Sequence, residues 1–98
     1  MTNEEISYSL KLFSESTTFN MADYRYSTYI KPLLQHFNKQ QLIELIRVID
    51  NNPQIYNRVR SYSDNNEILK ICEQLLDSDF DFEKYHNFIF DKALINED

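Results

Sequence analysis

Three acids, Asp77, Asp79 and Asp81, alternate along the chain as D-x-D-x-D, the spacing with which a calcium loop begins. Such a loop needs a glycine at its sixth position and a bidentate glutamate at its twelfth. Here those positions hold Phe82 and Phe88. The sharp turn and the closing ligand are both missing, so the run reads as the start of an acidic helix, where carboxylates complement the positive end of the helix dipole. Cys72, His36 and His86 are the remaining groups with metal or nucleophile chemistry. The two histidines are fifty positions apart and no pair stands at ligand spacing. Cys72 lies between Ile68 and the Leu75–Leu76 pair, on an apolar stripe, where a cysteine acts as a small buried hydrophobe. The expectation is a protein with no catalytic residues, no metal and no cofactor.

A different chemistry is offered by Tyr24, Arg25, Tyr26 and Tyr29, which interleave aromatic rings with a cation. Such a face can stack bases or anchor a protein partner. Tyr24 and Tyr26 are two positions apart, so on one helix they cannot share a narrow stripe and at least one is expected to face outward. Arg47, Arg58 and Arg60 flank the short break at residues 50–53 and give the outline of a helix-turn-helix. Duplex binding requires phosphate neutralisation, however, and the chain is acidic. Arginine is also common at protein interfaces.

The charge is unevenly spread. Ten Lys and Arg stand against sixteen Asp and Glu, a net charge of −6. Residues 1–49 carry five acids and five bases, whereas residues 63–98 carry ten acids and three bases. A surface of that sign repels nucleic acid and attracts basic grooves. Asp77, Asp79, Asp81, Glu83 and Asp91 are therefore the candidate partner-binding residues on electrostatic grounds, with Tyr24 and Tyr26 as candidate anchors.

These residues need elements to position them, and the composition restricts which. The chain has 98 residues, no glycine, two prolines and one cysteine. Without glycine, the phosphate-binding loop, the dinucleotide fingerprint, the nucleophile elbow and the tight hairpin turns all lose their usual pivot. Helices dispense with glycine more easily, because asparagine can adopt a left-handed cap, and there are ten Asn. Apolar runs do not exceed three residues, far short of the ~20 that a spanning helix needs. The first residues, M-T-N-E-E, lack a hydrophobic signal region. A single cysteine forms no internal disulfide. A cytoplasmic protein with one domain spanning residues 1–98 is expected.

The periodicity predicts about five short helices. Thr2 and Glu5 form a capping box for a helix from about Asn3, with Ile6, Leu10 and Phe13 at helical spacing. Asn20 is placed to cap a second helix from Met21, and Pro32 kinks it or splits it. Asn38 and Gln41 form a second capping box, with Phe37 and Leu42 as a hydrophobic staple. The helix that follows carries Leu42, Leu45, Ile46 and Ile49. Asn52 then caps a helix whose first residue is Pro53, carrying Ile55, Tyr56, Val59 and Tyr62. Ser63-Asp64 breaks it, and Asp64 and Glu67 cap a helix bearing Ile68, Ile71 and Cys72. After a turn at Asp77-Ser78-Asp79, a last helix is expected over residues 80–93, with a fraying tail. The fold class predicted is all-α, a compact bundle.

Within this plan, residues 37–58, F-N-K-Q-Q-L-I-E-L-I-R-V-I-D-N-N-P-Q-I-Y-N-R, form an amphipathic helix followed by N-x-Q-I. The stretch resembles short helical modules of bacterial abortive-infection, or phage-defence, proteins. It covers about a quarter of the chain, and Pro53 between Asn52 and Gln54 departs from the pattern. The resemblance implies interaction scaffold, with no catalytic residue to carry over, and a setting in phage–host conflict. The expected function is a small acidic inhibitor or regulator of anti-defence or immunity type, with imitation of DNA as one way to hold a basic, nucleic-acid-handling protein. No direct nucleic-acid contact and no membrane partner are expected. The alternative is a helical adaptor or oligomerisation module acting through apolar and tyrosine surfaces.

Overall fold

Capping chemistry, rather than glycine, punctuates this chain. The structure is a computed structural model and describes residues 2–61 and 66–76. Within them the chain is all-α: α1 (Thr2–Ser14), α2 (Phe19–Arg25), a π-helical turn (Tyr26–Ile30), a 3-10 helix (Lys31–His36), α3 (Lys39–Asn51), α4 (Pro53–Ser61) and α5 (Asn66–Leu75). Tyr62, the break at Ser63-Asp64, the turn from Asp77 and the helix expected over residues 80–93 lie outside the described residues.

The start of α3 follows the sequence reading closely. The Asn38 side chain accepts from the Gln41 backbone N–H at 2.9 Å, and the Gln41 side chain accepts from the Asn38 N–H at 2.8 Å. Phe37 and Leu42 are both buried in the one core, as a staple requires. Leu42, Leu45, Ile46 and Ile49 all face inward. At α2 the cap differs from expectation. Thr18, extended at φ −135° and ψ 161°, accepts from the Met21 N–H, and the helix begins at Phe19. Asn20 is instead an exposed residue of the first turn.

No described residue has a positive φ, so the expected left-handed asparagine caps are absent among the described residues. α1 shows what replaces them. A helix leaves its last four carbonyls without intrahelical partners. Here Lys11 accepts from the Ser14 hydroxyl, Leu12 from the Arg25 guanidinium, Phe13 from the Ser16 hydroxyl and Ser14 from the Asn52 amide. Side chains share with the Glu15 and Ser16 N–H groups, which donate to the Leu12 and Phe13 carbonyls, the work that a glycine-dependent turn does elsewhere. Asn52 serves two helices at once. Its Oδ1 accepts from the Gln54 and Ile55 N–H groups at the start of α4, and its Nδ2 donates to the Ser14 carbonyl at the end of α1 and to the Ser16 carbonyl just beyond it.

The core runs through every element. Ile6, Leu10 and Phe13 of α1 pack with Leu45, Ile46 and Ile49 of α3, Ile55 and Val59 of α4, and Ile68 and Cys72 of α5. Tyr8 and Tyr24 are the large apolar side chains left exposed among the described residues. No helix among them is long and apolar enough to cross a membrane. The Cα radius of gyration is 12.6 Å, close to the ~13 Å expected for a compact globule of about 100 residues.

Candidate interaction surface

Pro32 sets the geometry of the tyrosine region. It has no N–H, and its ring clashes with the carbonyl four residues back, so the helix entering from α2 cannot continue unchanged. It first widens: the Lys31 N–H donates to the Tyr26 carbonyl, five residues back. It then tightens into the 3-10 helix that contains Pro32. The path is continuous but its gauge changes. Ala22, Tyr26, Ile30 and Leu34 form the buried stripe at a uniform spacing of four, wider than the 3.6 of an α-helix.

The widened turn brings together residues five apart. Tyr24 and Tyr29 meet edge to face, with ring centroids 6.3 Å apart and planes at 81°, an arrangement that aromatic quadrupoles favour. Tyr29 also lines a groove of about 300 Å³ between α1 and the π and 3-10 stretch, together with Glu5, Tyr8, Ser9, Thr28, Pro32 and Leu33. Tyr8 and Tyr24 are each 62% exposed. Tyr8 was invisible as a partner of this face in the sequence, because it comes from a different helix. Tyr29 already stands in the aromatic run of the sequence, but its contact with Tyr24, five residues away, does not follow from regular α spacing.

Tyr26 does not belong to this surface. Its ring is fully buried, tilted against Phe13 at a centroid distance of 5.9 Å. The expectation of an anchor at Tyr26 is corrected to a core role, because position 26 falls on the inward stripe. Above its ring lies the Arg58 guanidinium, 4.5 Å from the centroid. Arg58 is itself 2% exposed, and its Nε donates to Asp23 Oδ1 at 2.9 Å. A cation with this burial needs a counter-charge and a polarisable face, and Asp23 and Tyr26 supply them. The helix-turn-helix outline fails at this residue: Arg58 ties α4 to α2 and cannot reach a phosphate. Arg25 is likewise turned inward onto α1.

Cys72 is buried at 3% exposure. Desolvation pushes its thiol up to about 12, the neighbouring Glu73 charge adds to this, and a backbone hydrogen bond works the other way. It stays a protonated thiol at neutral pH, with the packing role read from its stripe. His36 is exposed at the end of the 3-10 helix. Among the described residues no three His, Cys, Asp or Glu side chains are grouped to hold a metal. His86, Asp77, Asp79, Asp81, Glu83 and Asp91 lie outside the described residues.

The charges divide in an informative way. The described residues carry eight acids and eight bases, so this helical body is neutral. Residues 77–98 carry seven acids and two bases, and Asp64 accounts for the remaining charge of the chain. Comparison with the models of known protein families, with curated proteins and with solved structures gives no match.

Proposed function

We propose that this protein works by binding another protein, as a small acidic inhibitor or regulator that occupies a basic surface of its partner. The observation that carries this reading is the segregation of charge along the chain: the described residues are neutral overall, and residues 77–98 carry a net charge of −5. Charge concentrated in this way steers encounter with a basic partner and confers salt-sensitive affinity. Asp77, Asp79, Asp81, Glu83 and Asp91 are assigned the electrostatic contacts. Tyr24, exposed and paired with Tyr29, is assigned an anchoring contact.

The setting we infer is phage–host conflict, and it rests on the resemblance of residues 37–58 to abortive-infection modules. The residues of that stretch support a scaffold role, since its apolar positions enter the core and Asn38, Gln41 and Asn52 are engaged in caps. A second reading, a helical adaptor or oligomerisation module, is favoured by the exposed tyrosine face. The two separate by salt. Affinity capture with the full chain, eluted in rising salt, releases a basic partner at moderate salt under the first reading. Under the second, it recovers the chain itself or an apolar partner that resists salt.

A further inference from the structure

The groove beside Tyr29 has a lining that specifies its occupant. Two aromatic rings, Tyr8 and Tyr29, stand at a site whose one charged lining residue is Glu5, and no Lys or Arg among the described residues lines it. Thr28, exposed, and Ser9, buried, complete the polar lining. Tyr8 keeps most of its ring in water, and the equally exposed Tyr24 packs against Tyr29 from outside the groove. An exposed tyrosine, Tyr8, facing a half-buried one, Tyr29, at a concave site is the kind of side-chain pair that interfaces use as anchors. A flat cation fits this set best. Its faces meet aromatic rings, and its edge N–H groups reach a carboxylate and hydroxyl oxygens.

We propose that this groove receives an arginine side chain of a protein partner, seated against Tyr8 and Tyr29 with its guanidinium donating to Glu5. The proposal deepens the reading of a basic partner and rests on it: residues 77–98 supply steering, and the groove supplies an oriented contact. Arginine is preferred over lysine, because an ammonium is a strongly hydrated point charge without a planar face to stack. The site size, about 300 Å³, accommodates one side chain and adjoining backbone rather than a folded element.

The test is an NMR titration of the isotopically labelled full chain with a short Gly–Ser peptide carrying Arg–Arg, against a matched Lys–Lys peptide. It is repeated in the Asp77→Lys, Asp79→Lys, Asp81→Lys variant. The expected result is a set of amide shifts at Glu5, Tyr8, Tyr29 and Leu33 that persists in the triple variant. Binding there is expected to be at least about fivefold tighter for Arg–Arg than for Lys–Lys. Tyr8→Ala and Glu5→Gln should each weaken it at least about fivefold, more than most interface residues cost when truncated. Both positions are exposed, and an unchanged thermal melt shows that the fold is intact. Shifts confined to residues 77–98 overturn the groove proposal while leaving the acidic-segment reading in place. Equal response to the two peptides overturns the arginine assignment. Loss of the groove shifts in the triple variant overturns the groove as an independent contact. Concentration-dependent groove shifts without peptide assign the face to a second copy of the chain and overturn the proposal.

Discussion

Two neighbouring stretches of this chain solve the same problem in opposite ways. In α3 and α4 the helices are regular, Asn38, Gln41 and Asn52 cap them, and their apolar stripe faces the core, with Arg58 as the one buried charge among the described residues. From α2 through the 3-10 helix the backbone changes gauge twice within eighteen residues, and the same stretch presents Tyr24 and Tyr29 at the surface while burying Tyr26. The first stretch is built for stability. The second trades helical regularity for a surface, and π-helical turns recur at functional sites for this reason. The contrast implies that substitutions in the two stretches fail differently, one in folding and the other in binding.

The largest effect is expected at Ile46, fully buried in α3. Ile46→Ala removes packed methylenes and leaves a cavity, costing about 3 kcal/mol, read as a shift in the denaturant midpoint. A loss below about 1 kcal/mol would show that the regular half is not the stability centre. Next comes Asn52→Ala, which deprives α4 of its cap and α1 of two donors. The expected cost is about 2 kcal/mol, from a lost cap and carbonyls left short of partners. Chemical denaturation of Asn52→Asp adds a control, since aspartate keeps the cap and loses the amide donor. It should recover roughly half of the cost.

Pro32→Ala restores an N–H and relieves the clash that widens the turn. The expected change is the loss of the Tyr24–Tyr29 ring contact, seen as altered ring-current shifts. The stability change should stay within about 1 kcal/mol, through the unfolded chain. Persistence of the contact would mean that tertiary packing, rather than Pro32, holds the π turn. Smallest of all is Tyr24→Ala, expected to alter stability by no more than about 0.5 kcal/mol while weakening partner capture. A large stability loss there would remove the distinction between the two stretches.

What could be read from the sequence follows the range of each interaction. The Asn38–Gln41 box, the Phe37–Leu42 staple and the Asn52–Pro53 start all act within five residues, so spacing alone placed them. The burial of Arg58 depends on Asp23, 35 residues away, and no local pattern signals it. Asn52 was legible as a cap for α4, yet its amide bonds to α1 span 36 and 38 residues. Thr18 prevailed over Asn20 because the extended residue just ahead of the helix is the one whose oxygen reaches the third N–H. The tyrosine face was legible as a run of aromatics, but the pairing of Tyr24 with Tyr29 was not, because Pro32 imposes a wider period than 3.6, and Tyr8 joins the groove from another helix. The acidic candidates were legible as charge alone, and their part in the account is carried by composition.

The most direct measurement is partner capture across a salt series by the wild-type full chain and by the Asp77→Lys, Asp79→Lys, Asp81→Lys variant. The account predicts that the wild-type chain holds a basic protein at low salt and releases it at moderate salt, and that the variant captures none of it. Retention of the same partner by the variant, with an unchanged salt dependence, would contradict the claim that this protein acts through its acidic segment.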